Sequence, residues 1–359
     1  MKTMGRSFLR SPWADLLGRF AALMLVFVFF AVMVDDGRFY SLRNLENILR
    51  QSAVYATAGL GMTLVIITAG IDLSVGAMIA LSVIVLSAVL NAGGGGAGAA
   101  TIGAGESAYL VYRYPVLIPL AAAAAGVAAA TLAGLANGLM IVGLRLVPFI
   151  VTLGTMGIVR GLAKGAANER DIYPPESTWI GSLMDPVLTR TTGGGFLLPT
   201  GVWILLAGVA ATAFLLRYTR FGRHVYAVGS NEETARLCGV RVGRTKLAVY
   251  ALCGFFCGVA GLMQFSYIGG IGQPTTAQMY ELFVIAAVII GGARFNGGEG
   301  SVLGTLIGAL MITVLYAGGQ QMGWPKWVQE MVIGGIIIIA VALDRWRQRG
   351  MQDGAAVSS

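Results

Sequence analysis

Charged side chains are scarce in this chain. Asp, Glu, Lys and Arg make up 12% of its 359 residues, while apolar residues reach 56%. A soluble domain carries about a quarter charged residues. Histidine occurs once, at His224, and cysteine three times, at Cys238, Cys253 and Cys257. That inventory excludes a disulfide framework and a zinc-type ligand set, so the cysteines read as small packing residues. Neither G-x-x-x-x-G-K-S/T nor G-x-S-x-G occurs, which removes a phosphate-cradling loop and a nucleophile elbow. Gly93-x-Gly95-x-x-Gly98 has the spacing of a dinucleotide fingerprint but lacks the strand and helix that give it meaning. Asp35 and Asp36 are adjacent, so their side chains diverge and suit a solvated loop end. No cofactor or metal is expected on the chain itself.

What the chain does have is apolar runs, ten of them. They are Phe20–Val34, Ser52–Ala69, Ser74–Asn91, Pro115–Leu144, Pro148–Leu162, Thr200–Leu216, Leu247–Tyr267, Leu282–Gly292, Val302–Gly318 and Val328–Leu343. The first follows Lys2, Arg6, Arg10 and Arg19 and no small-residue cleavage site succeeds it, so it reads as an uncleaved span. Leu42, Leu45, Ile48 and Leu49 at helical spacing predict an interfacial helix ahead of the second run. The fourth run is long enough to tilt or to break near Gly126. Leu282–Gly292 is too short to cross easily and reads as a half-helix or re-entrant segment. The Gly-rich stretch Asn91–Tyr114 predicts a flexible outer loop, and Lys164–Pro199 a second outer segment. Glycines four apart (Gly134/Gly138, Gly157/Gly161, Gly254/Gly258, Gly304/Gly308) let helix backbones approach closely.

The class is therefore an all-α polytopic membrane protein of about ten transmembrane helices, the eighth short or re-entrant. Residues 1–19 form a cytoplasmic N-terminus, 20–343 a single transmembrane domain, and 344–359 a cytoplasmic tail. Ten crossings place both termini, Arg145 and the 217–246 loop on one Lys/Arg-rich side, the cytoplasmic one. The net charge of +8 is concentrated in short loops, so it reports orientation in a lipid bilayer and not nucleic-acid binding.

Arg217–Lys246 is the longest polar stretch, with seven Lys or Arg against Glu232 and Glu233. Ser230 with Glu233 three residues later forms a capping box, and Gly239 suits a left-handed C-terminal position. A two-turn helix of about eight residues is expected there, offering a docking surface to a soluble partner. Its candidate residues are Gly229, Ser230, Asn231, Glu232, Glu233, Ala235, Arg236 and Gly239. Within the spans, Asp72 lies two residues before Ser74 and is expected to cap the third span, with gating or coupling as the alternative role. Glu281, Arg294 and Glu299 surround the eighth segment, where Arg294–Glu299 pairing is expected. Arg160, near the outer end of the fifth span, is expected to snorkel. Asp72, Ser74, Asn137, Glu281, Phe283, Arg294 and Glu299 are the translocation and gating candidates. A proton-coupled carrier would need a relay of acids or histidines, and a channel a charge ring or carbonyl filter. Neither is visible, so energy is expected to enter from outside through the basic loop.

Five stretches in order resemble the permease subunits of bacterial ribose-, galactose- and xylose-class ABC sugar importers. They are Gly61–Gly76 (G-M-T-L-V-I-I-T-A-G-I-D-L-S-V-G), Val147–Gly161, Phe221–Val240, Tyr280–Gly292 and Gly297–Gly308. The resemblance implies a homodimer or paired permeases with the pathway between them. It also implies a cytoplasmic ATP-binding subunit that uses ATP and magnesium, and a periplasmic sugar-binding protein, at the bacterial inner membrane. By the same resemblance Ser230–Gly239 is the helix seated on the ATPase. The chain departs from the family pattern in Ala69-Gly70, where Gly-Gly is usual. It departs again at Phe283, where Asp is common, and in the link Ala293-Arg294-Phe295-Asn296. An ion-coupled secondary sugar carrier is the alternative function.

Overall fold

A computed structural model describes residues 12–94, 99–102, 109–112, 114–175, 178–187, 198–336, 338, 339 and 342. The chain enters as α1 (Pro12–Met33), makes a 3-10 turn (Asp35–Gly37), and continues as α2 (Leu42–Ile67) and α3 (Val75–Gly94). Two short strands, β1 (Ala99–Ile102) and β2 (Tyr109–Tyr112), pair antiparallel with Ala99 opposite Tyr112. Then follow α4 (Leu117–Gly143), α5 (Pro148–Ala166), α6 (Thr200–Tyr218), α7 (Arg220–Ser230) and α8 (Glu232–Leu237). α9 (Val242–Tyr267), α10 (Tyr280–Ile290) and α11 (Val302–Gln321) lead to a last helix, α12, over 326–336. The segment expected as a flexible outer loop thus contains a pair of strands. Residues 344–359 and those before 12 lie outside the described residues.

Among the described residues seven helices, α1, α3, α4, α5, α6, α9 and α11, are long and apolar enough to cross a membrane. α2 is different. Its first turns carry Arg43, Glu46 and Arg50, yet every residue from Gln51 to Thr68 is buried. A helix enclosed on all sides belongs at the centre of a bundle, and α6, α9, α10 and α11 all pack on it. The expected interfacial helix at 42–49 is the opening of this central helix, capped by Ser41. Residues 178–187 fold over this opening: Arg50 donates to the Met184 carbonyl, and Glu46 accepts from the Val187 amide.

Glycine sets the tightest contacts. A Cβ at Gly134 would meet the Gly254 backbone at 2.9 Å, and one at Gly258 would meet the Val127 Cα at 2.7 Å. α4 and α9 therefore pack backbone to backbone, as small residues allow. α4 runs unbroken through Gly126, which packs against Ser82 and is no hinge. Among the described residues Gly157 and Gly161 on α5 meet nothing within 4 Å, so this glycine pair draws none of the described helices close.

Two links turn back into the bundle. α2 ends in a Schellman motif: Ala69 N–H donates to Ile66 O at 2.9 Å and Gly70 N–H to Val65 O at 3.0 Å. Gly61 lies about 9 Å along the axis from Ile67, and a Cβ there would meet the Cys253 Cα at 2.7 Å. The Cys253 thiol lies beside Asp72. The α2–α3 link thus climbs back to that level, and Asp72 is fully buried. The α9–α10 link does the same from the opposite end. It leaves Tyr267, pairs Gly272 with Ile172, and reaches the first turn of α3, where Ala277 and Glu281 lie against Gly76.

Ala69 holds φ at +59 in the left-handed position where the Schellman motif usually has glycine, and where the resemblance expects one. Left-handed strain of about 1–2 kcal/mol outweighs the chain entropy of about 0.4–1 kcal/mol that glycine adds to the unfolded state. Ala69→Gly is therefore expected to stabilise the protein by about 1 kcal/mol, read as a raised thermal midpoint in detergent.

Candidate functional site

The polar stretch 217–246 is almost entirely helical. α7 starts at Thr219, whose side chain accepts from the Gly222 amide, and runs through Gly229 to Ser230. α8 is capped by Asn231, which accepts from the Thr234 amide at 2.8 Å. The predicted Ser230–Glu233 capping box does not form. α7 continues through Ser230 because Gly229 is wedged against the end of α2, and the cap passes to the next residue. The helix is six residues long, shorter than expected. Gly239 takes φ +83 and closes α8 in a second Schellman motif, with Gly239 N–H to Arg236 O and Val240 N–H to Ala235 O both at 3.0 Å.

The expected docking residues divide by direction. Ala235 is buried with Val228 and Val242, a small core that fixes α8 onto α7 and α9. Glu232 accepts from Lys246 at 2.6 Å and from Arg236 at 3.1 Å, tying α8 to the start of α9. The Lys246 hydrogen bond holds the Glu232 carboxyl below the usual glutamate range. A depressed carboxyl adds stability above its unfolded pKa, so this tie is complete at neutral pH and is lost as pH falls through the lowered value. Gly229 faces inward: a Cβ there would overlap the Ile67 carbonyl and lie 2.6 Å from the Gly298 amide. Ser230, Asn231, Glu233, Arg236 and Gly239 are exposed. So is Leu237, at 89%. Sequence reasoning passed over Leu237, although a signal was present. Successive helical residues turn by about 100°, so Ala235 and Leu237 point in nearly opposite directions.

Beneath α7 three backbones meet. The Gly298 amide donates to Ile67 O at 2.9 Å, and Tyr226 Oη to Gly300 O at 3.1 Å. The α10–α11 link containing Arg294 and Glu299, paired at 2.7 Å as expected, is thereby joined to α2 and α7. Glu281 is not part of that pair. It sits at the other end of α10, about 16 Å away along an 11-residue helix.

Asp72, Ser74 and Asn137 do come together, all fully buried. Asp72 Oδ1 accepts from the Ser74 amide at 2.9 Å and the Ser74 hydroxyl at 2.5 Å, and Asn137 Nδ2 donates to that hydroxyl at 2.9 Å. Asp72 therefore supports the cap residue of α3 in an Asx-type turn, one step removed from the direct cap expected. Asp72 Oδ2, Asn137 Oδ1 and Tyr250 Oη have no nitrogen or oxygen partner among the described residues. The weakly donating Cys253 thiol also lies beside the carboxylate, with the Ser74 and Asn137 side chains.

Arg160 does not snorkel. Its guanidinium turns inward to the carbonyls of Thr276 at 2.6 Å, Ala277 at 3.2 Å and Pro274 at 3.4 Å. Phe283 is buried in an aromatic cluster, 5.7 Å from Tyr55 and 6.3 Å from Tyr316 between ring centroids. Tyr280 joins this cluster 4.7 Å from Tyr55, and its hydroxyl donates to Gln264 at 3.3 Å. Among the described residues no group of three or more His, Cys, Asp or Glu is placed to hold a metal.

Residues 44–341 match the family described as branched-chain amino acid transport system / permease component. The chain belongs to this family. Curated relatives include the ribose import permease protein RbsC of Escherichia coli (strain K12), 33% identical over 344 residues, 96% of this chain and 98% of that one. The fructose import permease protein FrcC of Rhizobium meliloti is 35% identical, covering 90% of this chain and 83% of that one. The galactose/methyl galactoside import permease protein MglC of Salmonella typhimurium is 34% identical, covering 94% and 96%. No solved structure matches. Family membership makes the chain a multi-pass permease component, a part of a transport system and not an enzyme. The likeness seen in the five sequence stretches is borne out by these relatives.

Proposed function

We propose that this permease component serves an ATP-driven importer of a monosaccharide or related small polar solute, and that the α7–α8 unit receives the mechanical work. The family description mentions branched-chain amino acids, but relatives matched over nearly their whole length are named for ribose, fructose and galactose. That is the observation behind the sugar assignment. The energetic reading rests on the bracing of α8. Asn231, Glu232, Ala235 and Gly239 make it rigid, and Gly229 and Tyr226 seat α7 on the central helix and the α10–α11 link.

Force applied at α8 would reach two deeper places through packed backbone. One is the end of α2, beyond which lie Asp72, Ser74 and Asn137. The other is the Arg294–Glu299 link and α10. Rigid-body motion of such packed elements is a common form of two-state switching. We assign about ten crossings: the seven long apolar helices, central α2, α12, and short α10 with its inward-turning link. Residues 1–19, the 217–246 segment and 344–359 are assigned to the cytoplasm. A second permease copy, a cytoplasmic subunit hydrolysing ATP with magnesium, and an external sugar-binding protein complete the assembly.

The test is reconstitution of the chain with its ATPase in proteoliposomes. With the sugar-binding protein outside, ATP inside is expected to drive accumulation of the sugar that calorimetry finds on that binding protein. Accumulation driven by a proton or sodium gradient without nucleotide would defeat the reading in favour of a secondary carrier. No sugar flux with all partners present would reduce the chain to a scaffold.

A further inference from the structure

The link between α9 and α10 holds two non-glycine residues, Ala277 and Met279, at φ of +55 and +65. Backbone of that kind persists only where its surroundings over-determine it. Arg160 is what clamps it, through the carbonyls of Pro274, Thr276 and Ala277. The helix that carries Arg160 is held mainly on one side, by α3 and α4. Among the described residues Gly157 and Gly161, flanking Arg160, meet no atom within 4 Å. Val151, Val159 and Ala163 pack α5 on the core, and its glycine face borders no other described element.

A second partner stands ready. Among the described residues Glu281 Oε2 is buried without a hydrogen bond, while its carboxylate is folded back on the amides at the start of α10. The space a Cβ at Gly76 would fill is bounded by that oxygen, and Arg160 Nη2 lies 3.5 Å from the same point. Glycine at position 76 puts no side chain between guanidinium and carboxylate, and the Ala277 carbonyl that Arg160 now holds borders the same space.

We propose that Arg160 is a two-position latch of the transport cycle. Here it clamps the 274–277 carbonyls; in the alternate state it moves across Gly76 onto the Glu281 carboxylate and lets the strained link relax. The exchange replaces three charge-assisted bonds to carbonyls with a guanidinium–carboxylate pair, a geometry arginine favours. Arg160 and Glu281 are thus positioning residues for the start of α10, not solute ligands. The latch rests on the transport reading and deepens it.

Spin labels at Leu139→Cys and Gln278→Cys, in a Cys238→Ser background, report the distance from α4 to the link in the full complex. At rest one distance is expected, and a second when the ATPase is trapped with a nucleotide analogue. Glu281→Gln is expected to abolish the second distance and to lower uptake about tenfold, the loss expected for one charge-assisted contact. Arg160→Ala is expected to show the released distance at rest, and Arg160→Lys to restore part of both readouts. A Glu281→Gln complex with the second distance and full uptake overturns the latch. So do losses that follow only the amount of folded protein, with distances unchanged. If the wild-type complex moves no sugar with ATP but Arg160→Ala still changes the resting distance, the transport reading fails while the clamp stands.

Discussion

Gly229→Ala is expected to lower ATP-driven uptake by at least about thirtyfold while leaving the permease folded in the membrane. The added Cβ would overlap the Ile67 carbonyl oxygen and lie 2.6 Å from the Gly298 amide. Both are backbone atoms, so no side-chain rotation can absorb the clash. Either α7 lifts from the end of α2, or the 2.9 Å bond between Gly298 and Ile67 is pushed apart. Overpacking costs about 1–3 kcal/mol, and a buried carbonyl left unpaired adds about 1–3 kcal/mol more. The damage falls on the seat through which α8 would push on the central helix, and the hydrophobic core around α2 is untouched. Gly143→Ala is the matched control, because a Cβ at that helix end meets nothing within 4 Å among the described residues. Uptake rates in proteoliposomes, normalised to folded protein, decide the matter. Equal rates for both variants would mean that contact between α7 and α2 transmits nothing.

The contrast between these two glycines marks how far the sequence could be read. Apolar runs located every long helix, since a bilayer leaves few other uses for them. The short α10, the Arg294–Glu299 pair and the left-handed Gly239 were also legible, each set by residues close together in the chain. What depends on the return of a distant segment was not. Whether Ser230 or Asn231 caps α8 is settled by Gly229 wedging into Ile67, more than 160 positions earlier. Arg160 reads as a snorkelling residue until the 274–277 carbonyls arrive beside it. Glu281 and Arg294 are near in sequence, yet a rigid helix holds them at opposite ends.

Depth was partly legible: Asp72 counts among the ionisable groups within the spans, but the path that takes it there does not show in the sequence. Asp72 lies in a turn between two spans, and a turn is ordinarily at a membrane surface. Its burial follows from the Schellman ending at Ala69-Gly70, which sends the chain back along α2 instead of away from it. The sequence signal was faint because Ala69 holds the position where glycine would have advertised the reversal. The cluster formed with Ser74 and Asn137 then brings together positions more than 60 residues apart. No spacing rule anticipates that.

Leu237→Asp is expected to weaken binding of the ATPase to the detergent-solubilised permease by at least about thirtyfold. An 89% exposed leucine on a capped, braced helix does nothing evident for the fold of its own chain. Burying such a side chain in a partner's groove contributes about 1.5–3 kcal/mol. An aspartate forfeits that term and adds an anion that must be desolvated without a partner. Leu237→Met keeps volume and polarity and is expected to bind almost normally. The α8 scaffold lies elsewhere, in Asn231, Ala235 and the Glu232–Lys246 tie, so amide exchange over 232–237 should be the same in all three proteins. The dissociation constant is then a clean reading of the contact. If Leu237→Asp binds the ATPase as tightly as the parent, α8 is not the surface on which the motor sits, and the route for mechanical work through α7 loses its starting point.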